Sequence, residues 1–222
     1  MSLLIIAHLS SPFAGDAPML DGILEFEMAQ RQGLADKIRR DKRCPPVGEI
    51  HIPMLRHFIG GWNVPCCSSP IYGPIVNDRH EHIAKRLGCE YADELAPESR
   101  NVVAIGNSTF KSYRLPLRIR SVKRIAWLGE GHRRPVLKLL RSVHSIGKKR
   151  SVGYGRVAEW TGENVDGEFH WFAESESGRV LMRPLPFGNW LPPGLLGARR
   201  DFGGVVPPYW HPDRATDIIV PA

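Results

Sequence analysis

The run Gly147-Lys148-Lys149-Arg150-Ser151-Val152-Gly153-Tyr154-Gly155-Arg156-Val157 constrains this chain more than any other stretch. Glycines this dense do not sit inside a helix or strand, where each costs roughly 0.5–1 kcal/mol against alanine. Upstream, Pro135 fits a first helical turn, and Val136, Leu139, Leu140, Val143 and Ile146 form one apolar stripe, with Gly147 as the C-cap. Downstream, Arg156 to Trp160 reads as a strand. The order helix, glycine loop, strand is therefore fixed here.

Charge is concentrated around the same loop. The chain has 30 Lys/Arg against 23 Asp/Glu, a net +7, yet the stretch 111–156 alone holds fourteen bases and one acid, Glu130. The remainder of the chain is net acidic. A localised basic field beside a flexible loop suits a polyanion, and nucleic acid is the expected one.

The rest of the pattern places the elements. Leu3 to Leu9 is a short apolar run, read as a strand buried on both faces. Leu20, Ile23, Leu24 and Met28 recur at helical spacing, with Asp21 as the N-cap, Glu25 on a solvated face and Gly33 as the stop. Glu49 to Ile59 is predicted as a strand that Pro53 places at an edge or a bulge, His80 to Leu87 as a short helix, and Val102 to Ile105 as a strand. In Lys111–Arg124, Tyr113, Leu115, Leu117 and Ile119 alternate with Arg114, Pro116, Arg118 and Arg120, giving one apolar and one cationic face. Pro116 argues for an edge strand or a protruding hairpin. Val122 to Leu128 re-enters the core, and Glu168 to Ala173 is expected to pair with the Arg156–Trp160 strand. The proline and aromatic clusters at 183–187, 190–194 and 207–210 cannot form long helices.

This order predicts an α+β fold: a ferredoxin-like (RRM-like) βαββαβ domain over residues 1–178, with insertions at about 36–120, a basic thumb-like insertion at about 108–120, the glycine-rich loop, and a proline/aromatic C-terminal extension over 179–222. No run approaches the roughly 18 apolar residues of a membrane span, and the first nine residues lack the charged start of a signal peptide, so a cytoplasmic protein without membrane partners is expected.

Nucleotide-binding and catalytic signatures are missing. The loop is neither G-x-G-x-x-G nor G-x-x-x-x-G-K-[ST], and it follows a helix instead of preceding one. Cys44, Cys66, Cys67 and Cys89 contain no C-x-x-C pair; a zinc site from Cys44, Cys66 or Cys67, Cys89 and His51 or His57 is conceivable but disfavoured by that spacing, so no metal and no cofactor is expected. His8 invites comparison with ribonuclease histidines, but sequence identifies no partner for it, and His51, His57, His80, His82, His132, His144, His170 and His211 form no convincing metal pair.

The candidate contacts to RNA are therefore Gly147, Lys148, Lys149, Arg150, Ser151, Gly153, Tyr154, Gly155 and Arg156 in the loop; Lys111, Tyr113, Arg114, Arg118, Arg120, Lys123 and Arg124 in the alternating segment; and Arg134, Lys138 and Arg141 on one helix face. Backbone N–H groups and cations serve phosphates, and Tyr154 offers a ring for base stacking. Solvated basic tips and charged edge strands are the plain alternatives.

The helix, the Gly147–Val157 loop and the following strand resemble the glycine-rich loop of the CRISPR RAMP superfamily. Leu20-Asp21-Gly22-Ile23-Leu24 and Met182-Arg183-Pro184 are similar to one branch, the handle-binding (Cas-five-like, Csf-three) subunit of type IV CRISPR effector complexes. The resemblance spans roughly residues 1–30 and 120–185. It implies a non-catalytic subunit that holds the 5′ handle of a CRISPR RNA and caps a filament of backbone subunits. Further partners implied are the large subunit, target DNA and an associated helicase, with a thumb near Tyr113 and Arg114 propping the guide–target duplex. A CRISPR RNA-processing endoribonuclease of the same superfamily, using His8 or a Lys or Tyr near the loop, and an unrelated RNA-binding module are the alternatives.

Overall fold

The apolar run at the start becomes β1 (Ser2–Leu9), an inner strand of a four-stranded antiparallel sheet. The computed structural model describes residues 1–34, 48–85, 111–169 and 171–221. It sets β1 between β8 (Arg124–Glu130) and β9 (Val157–Val165), with β5 (Ile71–Tyr72) on the far side of β8. Leu3, Ile5 and Ala7 point to one face and are buried, opposite Gly129, Trp127 and Ile125 of β8. The other face of β1 is only half-buried at Leu4 and Ile6, so the strand is buried on one side rather than both.

Two helices cover the buried face. Helix α1 (Leu20–Arg31) contributes Leu20, Ile23 and Leu24, and α2 (Arg133–Leu140) contributes Val136, Leu139 and Leu140. Val143 and Ile146 complete the apolar stripe beyond the end of α2, which stops at Leu140 with Arg141 as its cap. Gly147 is thus not the C-cap.

The expected ferredoxin-like α+β fold is overturned. The described residues are mostly strand and fall into five separate sheets, with two α-helices, and not into a compact βαββαβ unit. Three segments account for the difference. First, the predicted helix at His80 is part of β6 (Ile75–Lys85), which pairs along its length with β7 (Tyr113–Val122) in a long ribbon; β2 (Phe13–Ala14) adds to the root of that ribbon. Second, β3 (Arg56–Ile59) and β4 (Trp62–Pro65) make a separate hairpin, shorter than the strand predicted from Glu49. Third, the tail is strand-rich: β10 (Phe172–Ser175), β11 (Gly178–Leu181) and β13 (Leu195–Leu196) form one sheet, while β12 (Leu185–Pro186), β15 (Ala215–Val220) and β14 (Arg199–Gly204) form another. β10 pairs with β11 and not with β9. Leu181, Leu185, Val205, Val206, Ile218 and Ile219 of the tail bury one another with Val64 of β4 in a second core.

A buried ion pair links the two cores. The guanidinium of Arg183 is wholly buried and donates to Asp21 Oδ2 (3.2 Å), Tyr209 Oη (2.9 Å), Pro65 O (2.6 Å), Val205 O (3.1 Å) and Cys67 Sγ (3.3 Å). Tyr209 Oη donates in turn to Asp21 (2.6 Å to Oδ2). Asp21 is therefore an ion-pair partner inside the first turn, while the N-cap position belongs to Met19. Glu25, expected on a solvated face, is buried, and burial first of all pushes its carboxyl up to about 8; Arg56, 3.9 Å away, opposes that shift.

Candidate nucleic-acid interface

The glycine loop is held by its backbone. Lys148 N–H donates to Ala14 O (3.0 Å), Gly155 N–H to Pro12 O (2.8 Å), and Ile146 N–H to Gly155 O (2.9 Å). Gly147 (φ +85°) and Gly155 (φ +64°) have left-handed backbones. A Cβ on Gly147 would run into the Phe13 ring, and one on Gly155 into the Ile146 carbonyl oxygen. Those two glycines are thus demanded by how the loop sits on residues 12–15. Gly153 (φ +98°) differs, since a Cβ there would meet nothing within 4 Å. Lys149 takes φ +57° and opens a 3₁₀ turn over Arg150–Val152. That turn exposes Arg150, Ser151 and Val152.

Lys148, Lys149, Arg150 and Arg156 make no ion pair with a described residue, and all but the half-buried Lys149 are exposed. Lys148 and Arg150 border a cleft of about 330 Å³ between α1 and the loop, which Ile23 and Phe26 also line. Two carboxylates in the cleft are engaged: Asp16 pairs with Arg120 (2.5 Å), and Glu27 accepts from Ser142 Oγ (2.7 Å). Among the described residues the mouth thus carries two cations without an ion-pair partner, Lys148 and Arg150, beside one carboxylate, Glu27, whose partner is a neutral hydroxyl.

The ribbon carries the second group of predicted residues, and the structure splits them. Arg118 forks onto Asp78 (2.9 and 2.5 Å), which holds the Asp78 carboxyl below its usual range. Arg120 is buried: it donates to Gly15 O (2.8 Å) and Asp16, and lies 4.4 Å over the Tyr72 ring. Both arginines brace the ribbon. Lys111, Arg114, Lys123 and Arg124 are exposed and have no ion-pair partner among the described residues, and Tyr113 is half-buried. Register sets Arg114 opposite Ala84 and Arg118 opposite His80, so these residues and His82 share one face. Beyond Ile119 and Arg120, β2 no longer covers β7, so Pro116 sits where the strand has a single neighbour.

Tyr154 is drawn into the base of the ribbon. Its hydroxyl donates to Glu81 Oε2 (2.8 Å), and its ring packs on Ala14, Leu117 and Ile119. The shared proton holds the phenol above its usual value and Glu81 below its own. On α2, Arg134, Lys138 and Arg141 are exposed; Arg31 of α1 reaches the Lys138 carbonyl (3.4 Å) and adds a cation that sequence reasoning missed. Arg134 lies in the first turn of α2, at the end opposite the loop.

His8 contacts Thr161 Oγ1 (2.9 Å), and no carboxylate is paired with it among the described residues. Cys44, Cys89, the predicted strand at Val102–Ile105 and the first residues of the thumb at 108–110 lie outside the described residues, as does His170. Among the described residues, no helix is long and apolar enough to cross a membrane. Neither family models nor curated proteins give a match to this chain.

Proposed function

We propose that this chain is a non-catalytic RNA-binding subunit that holds the 5′ handle of a CRISPR RNA within a cytoplasmic type IV effector complex. Backbone and large subunits, target DNA and an associated helicase are the partners this role carries. One observation supports the reading above others: the loop's backbone is rigidly docked on residues 12–15 while its cations are left without acidic partners beside a cleft. A docked loop with unspent charge receives phosphates without ordering cost at the moment of binding. A single-stranded, hooked handle also presents bases and 2′-hydroxyls to side chains of the ribbon such as the exposed Arg114 and the half-buried Tyr113.

The test is RNA binding across a salt series. In the variant Lys148→Gln/Lys149→Gln/Arg150→Gln, log K should fall less steeply with log salt, by about 0.7 for each single-strand phosphate that the loop no longer neutralises. An unchanged slope would show that the loop does not touch phosphate. Incubation of the pure protein with repeat RNA should leave it intact; cleavage that disappears in His8→Ala would replace the binding role with an endoribonuclease. Failure to co-purify with backbone subunits and a defined small RNA would favour an unrelated RNA-binding module.

A further inference from the structure

We propose that His57, Cys66 and Glu130 form a site for one divalent transition-metal ion of the zinc class. A ligand atom from each of the three lies within 4.8 Å of the other two, and His57 Nε2 is 3.9 Å from Glu130 Oε2. Tetrahedral zinc with bonds of about 2.0–2.3 Å sets its ligand atoms roughly 3.3–3.7 Å apart. Closing the trio needs shifts of about 1 Å, within reach of a rotamer adjustment at the exposed His57.

The frame behind these side chains is fixed. Cys66 N–H donates to Leu55 O (2.8 Å), Glu130 N–H to Cys66 O (2.8 Å), and Leu55 N–H to Glu130 O (2.9 Å). This closed ladder ties the β3–β4 hairpin to the end of β8. Around it, Phe169 N–H reaches Glu130 Oε1 (3.4 Å), leaving Oε2 toward His57, and the Trp171 ring stands edge-on to the imidazole. Such outer contacts orient metal ligands. The ion would enter from the His57 side, since Cys66 is buried and Glu130 largely so.

The charge balance fits the location. On binding, the Cys66 S–H bond breaks, its proton leaves to solvent, and the sulfur electron pair forms the bond to the metal. A thiolate and a carboxylate then neutralise a dication, with neutral imidazole as third ligand and water in the fourth position. Without the ion, burial and then Glu130 push this thiol up to about 12, so it stays protonated and inert. The spacing rule applied to the sequence could not find this trio, because its members come from β3, the residue after β4 and the end of β8, and make no local chelating turn.

Titration of the metal-free full-length chain with Co²⁺ tests the site. We expect one equivalent to bind with tetrahedral visible bands and a thiolate-to-cobalt charge-transfer band, all displaced by Zn²⁺. The charge-transfer band should vanish in Cys66→Ser and persist in Cys44→Ser/Cys89→Ser. His57→Ala alters an exposed side chain and should weaken binding at least tenfold in a folded protein. Absence of the band in the wild type, its survival in Cys66→Ser, its loss in Cys44→Ser/Cys89→Ser, or an unchanged affinity in His57→Ala would overturn the proposal and leave a simple His57–Glu130 pair beside an inert thiol.

Discussion

Arg183→Met is expected to remove a large part of the stability of this protein. The side chain is of similar length, so packing volume is nearly kept, but the guanidinium's six hydrogen bonds vanish together. Asp21 would keep neutral donors such as the Tyr209 hydroxyl and the Gly22 N–H, inside a site with no solvent access. The carbonyls of Pro65 and Val205 would each be deprived of the guanidinium donor. Breaking a buried ion pair from one side costs about 3–5 kcal/mol, because the survivor is an uncompensated charge. Total stabilities are typically about 5–15 kcal/mol. Urea unfolding followed by tryptophan fluorescence should show the loss, with Asp21→Leu similarly destabilised. The double variant Asp21→Leu/Arg183→Met should recover part of it, since it leaves no lone buried charge. A loss below about 1 kcal/mol in Arg183→Met, or single-variant costs that simply add, would refute the claim that this pair bonds the two cores.

Three further outcomes are expected. Glu25 titrates near 4.5 ordinarily and about 8 when folded, so folding favours its protonated form. Its stability is full below about 4.5 and declines as pH rises through 4.5–8. Glu25→Gln removes that decline, so its melting temperature should gain on the wild type between pH 5 and pH 8; a pH-independent difference refutes the assignment. Gly155→Ala should destabilise by clearly more than the roughly 1–2 kcal/mol of a left-handed backbone, because its Cβ meets the Ile146 carbonyl, whereas Gly153→Ala should cost only that backbone term. Equal melting temperatures for the two variants would contradict the packing argument. Tyr154→Phe removes the bond to Glu81 but keeps the ring, so it should lower the melting temperature slightly while leaving RNA affinity intact; a large drop in affinity would place the hydroxyl at the interface.

Local periodicity identifies α1, the apolar stripe through α2 and the alternation in β7, because in each the buried face repeats within the segment itself, while β1 is legible as an unbroken apolar run that does not reveal its one-sided burial. β6 is illegible for the opposite reason. Nearly all of its residues are exposed, so nothing in its own composition marks a face, and its order comes from a partner some 40 residues later. Asp21 reads as a cap from its neighbours alone; its arginine is 162 positions away. In the loop, residue types point to a flexible anion cradle, yet Gly147 and Gly155 answer to Phe13 and Ile146. The α+β assignment fails in part because prolines in the tail read as breakers of structure, whereas there they flank or join short strands, and in part because the β6–β7 ribbon and the β3–β4 hairpin form sheets of their own.

Residues 14–16 serve two masters. Ala14 receives the amide of Lys148, the Lys148 side chain lies over Gly15, and Gly15 and Asp16 moor Arg120 at the foot of the ribbon. The foot of the ribbon and the near end of the glycine loop therefore rest on the same three residues.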